Sequence, residues 1–132
     1  MSFLPIRLFP GTDLRRALEA LPASHGTDSA FVVAGIGSLV RVSIRYADAP
    51  DAVTIAGPLE IVSLSGSLSA AGAHLHVSVS DAAGRVFGGH LDQGSTVRTT
   101  AEILLAWLPR GTLTREHDAA TGFNELVVRP AG

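Results

Sequence analysis

Cysteine is absent from the 132 residues, which excludes disulfides and thiolate metal sites and leaves the redox compartment unmarked. Lysine is absent too, because all ten basic residues are arginine. That removes Schiff-base chemistry and the lysine of a phosphate-binding loop. The arginines are scattered, no basic tract exists, and the net charge is −2. Nothing therefore supplies the electrostatic footprint of a protein that grips a phosphate backbone on its own. Charged residues make up only 17% of the chain. A surface so sparsely charged is expected to make contacts between copies.

No charged region followed by an apolar run occurs near the N-terminus, so no signal peptide is expected. Residues 61–80 carry no Asp, Glu or Arg, yet their serines, glycines and two histidines alternate with aliphatics. A strand explains that alternation better than a membrane span. A cytoplasmic location without a membrane partner follows as the expectation. With 46% hydrophobic residues, the chain is read as one domain over residues 1–132 that buries roughly two-thirds of its unfolded surface.

Thr12 is placed to cap a helix whose first turn holds Asp13. Leu14, Ala17, Leu18 and Leu21 follow the i, i+3, i+4, i+7 stripe of an amphipathic helix. Pro22 is expected to end or kink it, and His25-Gly26 to reverse the chain. Everything after Ala30 reads as strand. The runs are 6–9, 31–33, 39–46, 52–56, 59–68, a hairpin, 97–107 and 123–128. Gly35-Ile36-Gly37-Ser38 and Gly57-Pro58 are expected to interrupt them. Ile103-Leu104-Leu105-Ala106-Trp107 suggests a strand buried on both faces, or with one face against another subunit; a helix from Thr100 is the alternative. The fold class is α+β, a mainly antiparallel β-sheet with one early amphipathic helix.

Familiar catalytic motifs are missing. Gly35-x-Gly37 has Val40 where a dinucleotide fingerprint needs a third glycine. Ser63, Ser65 and Ser67 alternate without a nucleophile elbow. Glu60, Glu102 and Asp118 are isolated carboxylates best read as surface residues. Arg41 and Arg45 share a strand face that suits an anion or simply solvent.

Residues 74–92 carry the chemistry. His74 and His76 point to one side of a strand, with Ser78 and Ser80, while Leu75, Val77 and Val79 point to the other. Asp81-Ala82-Ala83-Gly84 predicts a type I turn followed by a left-handed glycine, which sets Asp81 opposite Arg85. Counting outward places Phe87 opposite Val79, His90 opposite His76, Leu91 opposite Leu75 and Asp92 opposite His74. A two-residue loop would turn His90 among the aliphatics, because a one-residue slip flips the whole strand. A further bulge at Gly88-Gly89 is the one feature that would spoil the count. Opposed Cβ atoms stand roughly 4.5–5.5 Å apart. Three imidazoles so spaced, with Asp92 or water as a fourth ligand, suit a divalent metal, zinc first and nickel or iron after it. The competing reading is three surface histidines bonded to serines and backbone.

Gly35-Ile36-Gly37-Ser38-Leu39, residues 57–66, His74-Leu75-His76, Gly88-Gly89-His90-Leu91 and residues 121–126 together resemble the PPC domain, the plant and prokaryote conserved domain also called DUF296. The likeness runs in order along nearly the whole chain. It implies an antiparallel α+β fold, a stand-alone bacterial type and a homotrimer, and it maps His74, His76 and His90 onto a recurrent pattern. Plant members follow AT-hook segments; here Pro109-Arg110-Gly111 and Arg129-Pro130 are fragments only. Autonomous DNA binding is therefore not expected. Gly57, Glu60 and Ile61 match a stretch that plant members use for partner proteins, while Pro58, Leu59 and Val62 depart from it. The reading is a trimeric module of unknown cellular role that binds a metal or small ligand through a three-histidine face. The alternatives are a DNA-associated regulatory protein, or a metal-dependent enzyme with Asp92 or Glu60 as base.

Overall fold

Period-two alternation over most of the chain yields eight strands and one helix among residues 2–130, which the computed structural model describes. In chain order these are β1 (Ser2–Leu8), α1 (Leu14–Ser24), β2 (Ser29–Arg45), β3 (Val53–Ser69), β4 (Gly72–Ser80), β5 (Val86–Leu91), β6 (Thr96–Leu108), β7 (Leu113–Asp118) and β8 (Phe123–Val128). Six form an antiparallel sheet in the order β1-β6-β2-β3-β4-β5. The end of β2 also pairs with β5, Ile44 with Leu91 and Arg45 with His90, so the sheet curls back on itself. β7 and β8 pair separately as a hairpin. The α+β class read from the sequence is the fold observed.

The curled sheet encloses the core. Leu39, Ile44, Leu64, Leu75, Val79, Leu91 and Leu105 point inward and are buried, and α1 closes the open side with Leu14 and Leu18. The cap of α1 is Asp13 rather than Thr12. One Asp13 oxygen accepts from the Arg16 amide at 3.0 Å and the other from the Gly94 amide at 2.8 Å. Thr12 is held instead by backbone pairing, its carbonyl accepting from the Val97 amide at 2.9 Å. Pro22 does not end the helix, which runs on to Ser24 with Pro22 buried in the last turn. There a proline removes only one intrahelical bond. The reversal at His25-Gly26 is as expected, with the His25 amide donating to the Pro22 carbonyl at 3.0 Å.

Two expected interruptions are absorbed. β2 passes through Gly35-Ile36-Gly37-Ser38 with shifts in register, and β3 passes through Gly57-Pro58, which bulges opposite the step from Leu39 to Arg41. Segment 97–107 is a strand, its helical alternative excluded by pairing to both β1 and β2. It is not buried on both faces: Ile103 and Leu105 lie in the core, whereas Leu104 faces outward and is partly exposed. β7 lies outside the runs that the sequence marks as strands.

The sheet's outer face divides in two. Across β1, β6 and β2 it is mainly apolar, with Phe3, Pro5, Leu104, Ala34 and Ile36 on it beside the charged pair Arg7 and Glu102. Across β3, β4 and β5 it carries serines and histidines. The β7–β8 hairpin leans over the middle, where Phe31, Ser67, His74, Arg115 and Leu126 line a common crevice.

Candidate metal centre

The turn after Ser80 has the geometry its residues dictate. The Gly84 amide donates to the Asp81 carbonyl, and the Asp81 amide to the Arg85 carbonyl, each at 2.9 Å. The Asp81 carboxylate accepts from the Ala83 and Arg85 amides at 2.9 Å and from Arg85 Nε at 2.8 Å. Those donors, the Arg85 amide first, hold its pKa below the usual carboxylate value. Gly84 supplies the positive φ of +80° that a side chain resists. The register outward is Ser80 with Val86, Val79 with Phe87 and His76 with His90.

No bulge forms at Gly88-Gly89, which pair regularly with Ser78 and Val77. Gly89 is required by closeness instead: a Cβ there would stand 2.7 Å from the Arg45 carbonyl oxygen. Arg45 and His90 are direct cross-strand partners. Glycine thus lets β2 and β5 approach where the third histidine must be held.

The three rings converge. Their centroids lie 5.1 Å apart for His74–His76, 5.4 Å for His74–His90 and 4.8 Å for His76–His90. One ring nitrogen from each falls within 4.8 Å of the others. Around a tetrahedral ion with metal–nitrogen bonds of about 2.0–2.1 Å, such atoms stand roughly 3.3 Å apart. Small rotations about the side-chain bonds of these exposed or half-exposed rings close that difference.

Burial lowers the pKa of His74, aided by Arg115, His76 and His90 and opposed by Glu125. His90 is lowered likewise, by burial first and then by Arg45, His76 and Arg15. Both shifts favour the neutral imidazole that ligates metals. Arg115, on β7, donates from Nη2 to His74 Nδ1 at 3.2 Å and to Ser67 Oγ at 3.1 Å. A guanidinium has only donors, so Nδ1 carries a lone pair here and a neutral His74 keeps its proton on Nε2. A metal held on Nδ1 would take the place of Arg115, and one held on Nε2 would require the ring proton on Nδ1, facing the arginine's own. Metal ligation by neutral His74 and the Arg115 contact exclude each other.

Asp92 does not stand opposite His74. β5 ends at Leu91, the Asp92 amide turns to the Ser43 carbonyl at 2.9 Å, and its carboxylate accepts from the Gln93 amide and faces Arg15 at 3.8 Å. Glu60 pairs with Ser80, four residues along β4 from His76, which is on the order of 13 Å at strand rise. Neither joins the histidine group. Arg115, Phe123, Asn124 and Glu125 line a cleft of about 780 Å³ beside His74 and His90, together with Arg45 and Asp48. Segment 113–118, Leu-Thr-Arg-Glu-His-Asp, has no apolar alternation to mark it as a strand over a site. The only trace was the motif at 121–126.

The sequence model described as the Plants and Prokaryotes Conserved (PCC) domain matches residues 1–109. A bifunctional protein GlmU from a Synechococcus species is 43% identical over 130 residues. Those residues are 98% of this chain and 21% of that protein, so the chain spans about a fifth of the length of this curated relative. Among solved structures, a hypothetical protein from Salmonella enterica superposes with a TM-score of 0.92 at 37% identity, covering 97% of this chain and 93% of its own. A metal-containing protein from Archaeoglobus fulgidus superposes at 0.79 with 30% identity, covering 96% and 94%. A Bacteroides thetaiotaomicron structure, described as a candidate DNA-binding protein, superposes at 0.81 with 22% identity over 96% and 91%, which shows a shared fold alone.

Proposed function

The chain belongs to the Plants and Prokaryotes Conserved (PCC) domain family, and from that premise we propose that it binds a divalent metal ion through His74, His76 and His90. The observation that carries this reading is the convergence of three imidazole nitrogens within 4.8 Å on one sheet face. The archaeal relative described as metal-containing, at 30% identity, supports it. An all-imidazole set without thiolates suits zinc first, then nickel or iron. Three protein ligands leave a position for water or a ligand atom, and the ion would supply a Lewis-acid centre there. The chain's residues orient the rings: the Asp81 turn fixes the register, and Gly89 seats His90 against β2.

Elemental analysis of protein purified without an affinity tag tests this. About one equivalent of zinc, nickel or iron, either as purified or after zinc addition, is the expected result. Less than a tenth of an equivalent, unchanged by added zinc or nickel, overturns it.

The module is further proposed to be a homotrimer joined through the apolar half of the outer face. What supports this is Phe3 at 60% and Ile36 at 56% exposure beside outward-facing Pro5 and Leu104. Autonomous DNA binding is no part of the reading, since scattered arginines and a net charge of −2 supply no phosphate track. Retarded migration of an A·T-rich duplex that persists at 200 mM salt would contradict that.

A further inference from the structure

We propose that the cleft beside the three histidines takes a small organic anion, a carboxylate or phosphate ester, whose charged group is gripped by Arg115 and Arg45. The inference rests on the metal reading and names the kind of ligand that the site accepts.

Arg115 reaches the histidines from the β3 side, touching Ser67 and His74. Arg45 lies on the far side, cross-strand from His90. Among the described residues the Arg45 side chain donates only to the Ala49 carbonyl, at 3.3 Å. Among the described residues neither arginine forms an ion pair with a carboxylate. Arg15, the third arginine of the cleft, is already committed. It bonds Glu19 and the Leu91 and Ala73 carbonyls and faces Asp92. Two guanidiniums with spare donors therefore flank the place where an ion would sit, and guanidinium geometry matches carboxylate and phosphate oxygens.

Charge balance makes the binding conditional. Arg15, Arg45 and Arg115 are offset in the cleft by Asp48, Asp92 and Glu125. Without metal the lining is neutral; a divalent ion makes it positive by two. Ligation of His74 also breaks its contact with Arg115, freeing those donors for the incoming group. Metal and anion should each strengthen the other's binding, because linkage is reciprocal. The cleft, about 780 Å³, exceeds what a bare inorganic anion fills, and Phe123 at its rim is 72% exposed. An apolar or aromatic body on the anion would cover that ring.

Calorimetric titration of phenyl phosphate and of benzoate into zinc-loaded and metal-free protein tests the proposal, with inorganic phosphate as reference. At least one aromatic anion should bind zinc-loaded protein tenfold or more tightly than metal-free protein, and more tightly than inorganic phosphate. The two probes separate a phosphate from a carboxylate preference. Arg115→Met and Arg45→Met should each weaken binding at least tenfold, while Arg115→Lys recovers part of it and guards against a folding defect. Zinc that loads without either anion binding, or affinities unchanged in both methionine variants, overturns the cleft assignment and leaves the metal reading intact. If zinc fails to load, the metal reading falls. The metal-free titration then judges the cleft alone: binding lost in Arg115→Met supports it, and no binding overturns it.

Discussion

At the scale of single residues, the proton on each imidazole decides what the site can do. His74 and His90 have folded-state pKa values below the ordinary histidine value near 6.5, burial being the first cause of each. Above that value both folded and unfolded chains are neutral there, and neither histidine affects stability. As pH falls through 6.5 the unfolded chain takes up protons first, so stability declines until the folded values too are passed. Metal-free protein should therefore show urea midpoints that drop between pH 7.5 and 5. His74→Gln should flatten that drop, and an unchanged slope would contradict the assignment. With metal bound the decline should steepen, because protons compete with the ion for His74 and His90. Replacing a ligand should cost more affinity than the roughly 10–100-fold typical of losing an outer hydrogen-bond partner. His76→Ala is thus expected to weaken zinc binding by more than 100-fold in a competition titration against a chelator.

At the scale of elements, the hairpin from β4 to β5 is where local chemistry becomes site geometry. Its register was legible because two polar rows and two apolar rows agree only for a three-residue loop, and because Asp81 and Gly84 are the residues such a loop demands. Gly89→Ala should move β5 away from β2, since its Cβ would stand 2.7 Å from the Arg45 carbonyl oxygen. A loss of about 1–3 kcal/mol in urea unfolding is expected, with weaker zinc binding as His90 is displaced. Full stability and affinity in that variant would remove the structural role given to the glycine. Other elements were less legible for reasons of equal concreteness. Gly57-Pro58 reads locally as a break, but flanking pairs on β2 hold the strand through it. Asp13 outcompetes Thr12 as cap because its second oxygen has the Gly94 amide to bind, a partner distant in sequence. β7 has no period-two pattern, and Arg115, the residue that alters the state of His74, came with it.

At the scale of the whole molecule, one sheet face holds both the histidines and an apolar surface, so the proposed assembly and metal-binding surfaces are neighbours. A particle of three times the 13.6 kDa chain mass is expected by light scattering. Ile36→Glu should release it to a smaller species at micromolar concentration, and a monomer in the unmodified protein would contradict the trimer. The fold class follows from alternation and turn chemistry, whereas the cleft needs the curled sheet and the overhanging hairpin, contacts no local pattern encodes. The most direct test of the central claim is zinc titration followed by nitrogen-15 resonances of all five imidazoles. The expected result is that His74, His76 and His90 shift together and saturate at one equivalent, with His25 and His117 unmoved. Unperturbed resonances for the three, or equal weak shifts across all five, would contradict it.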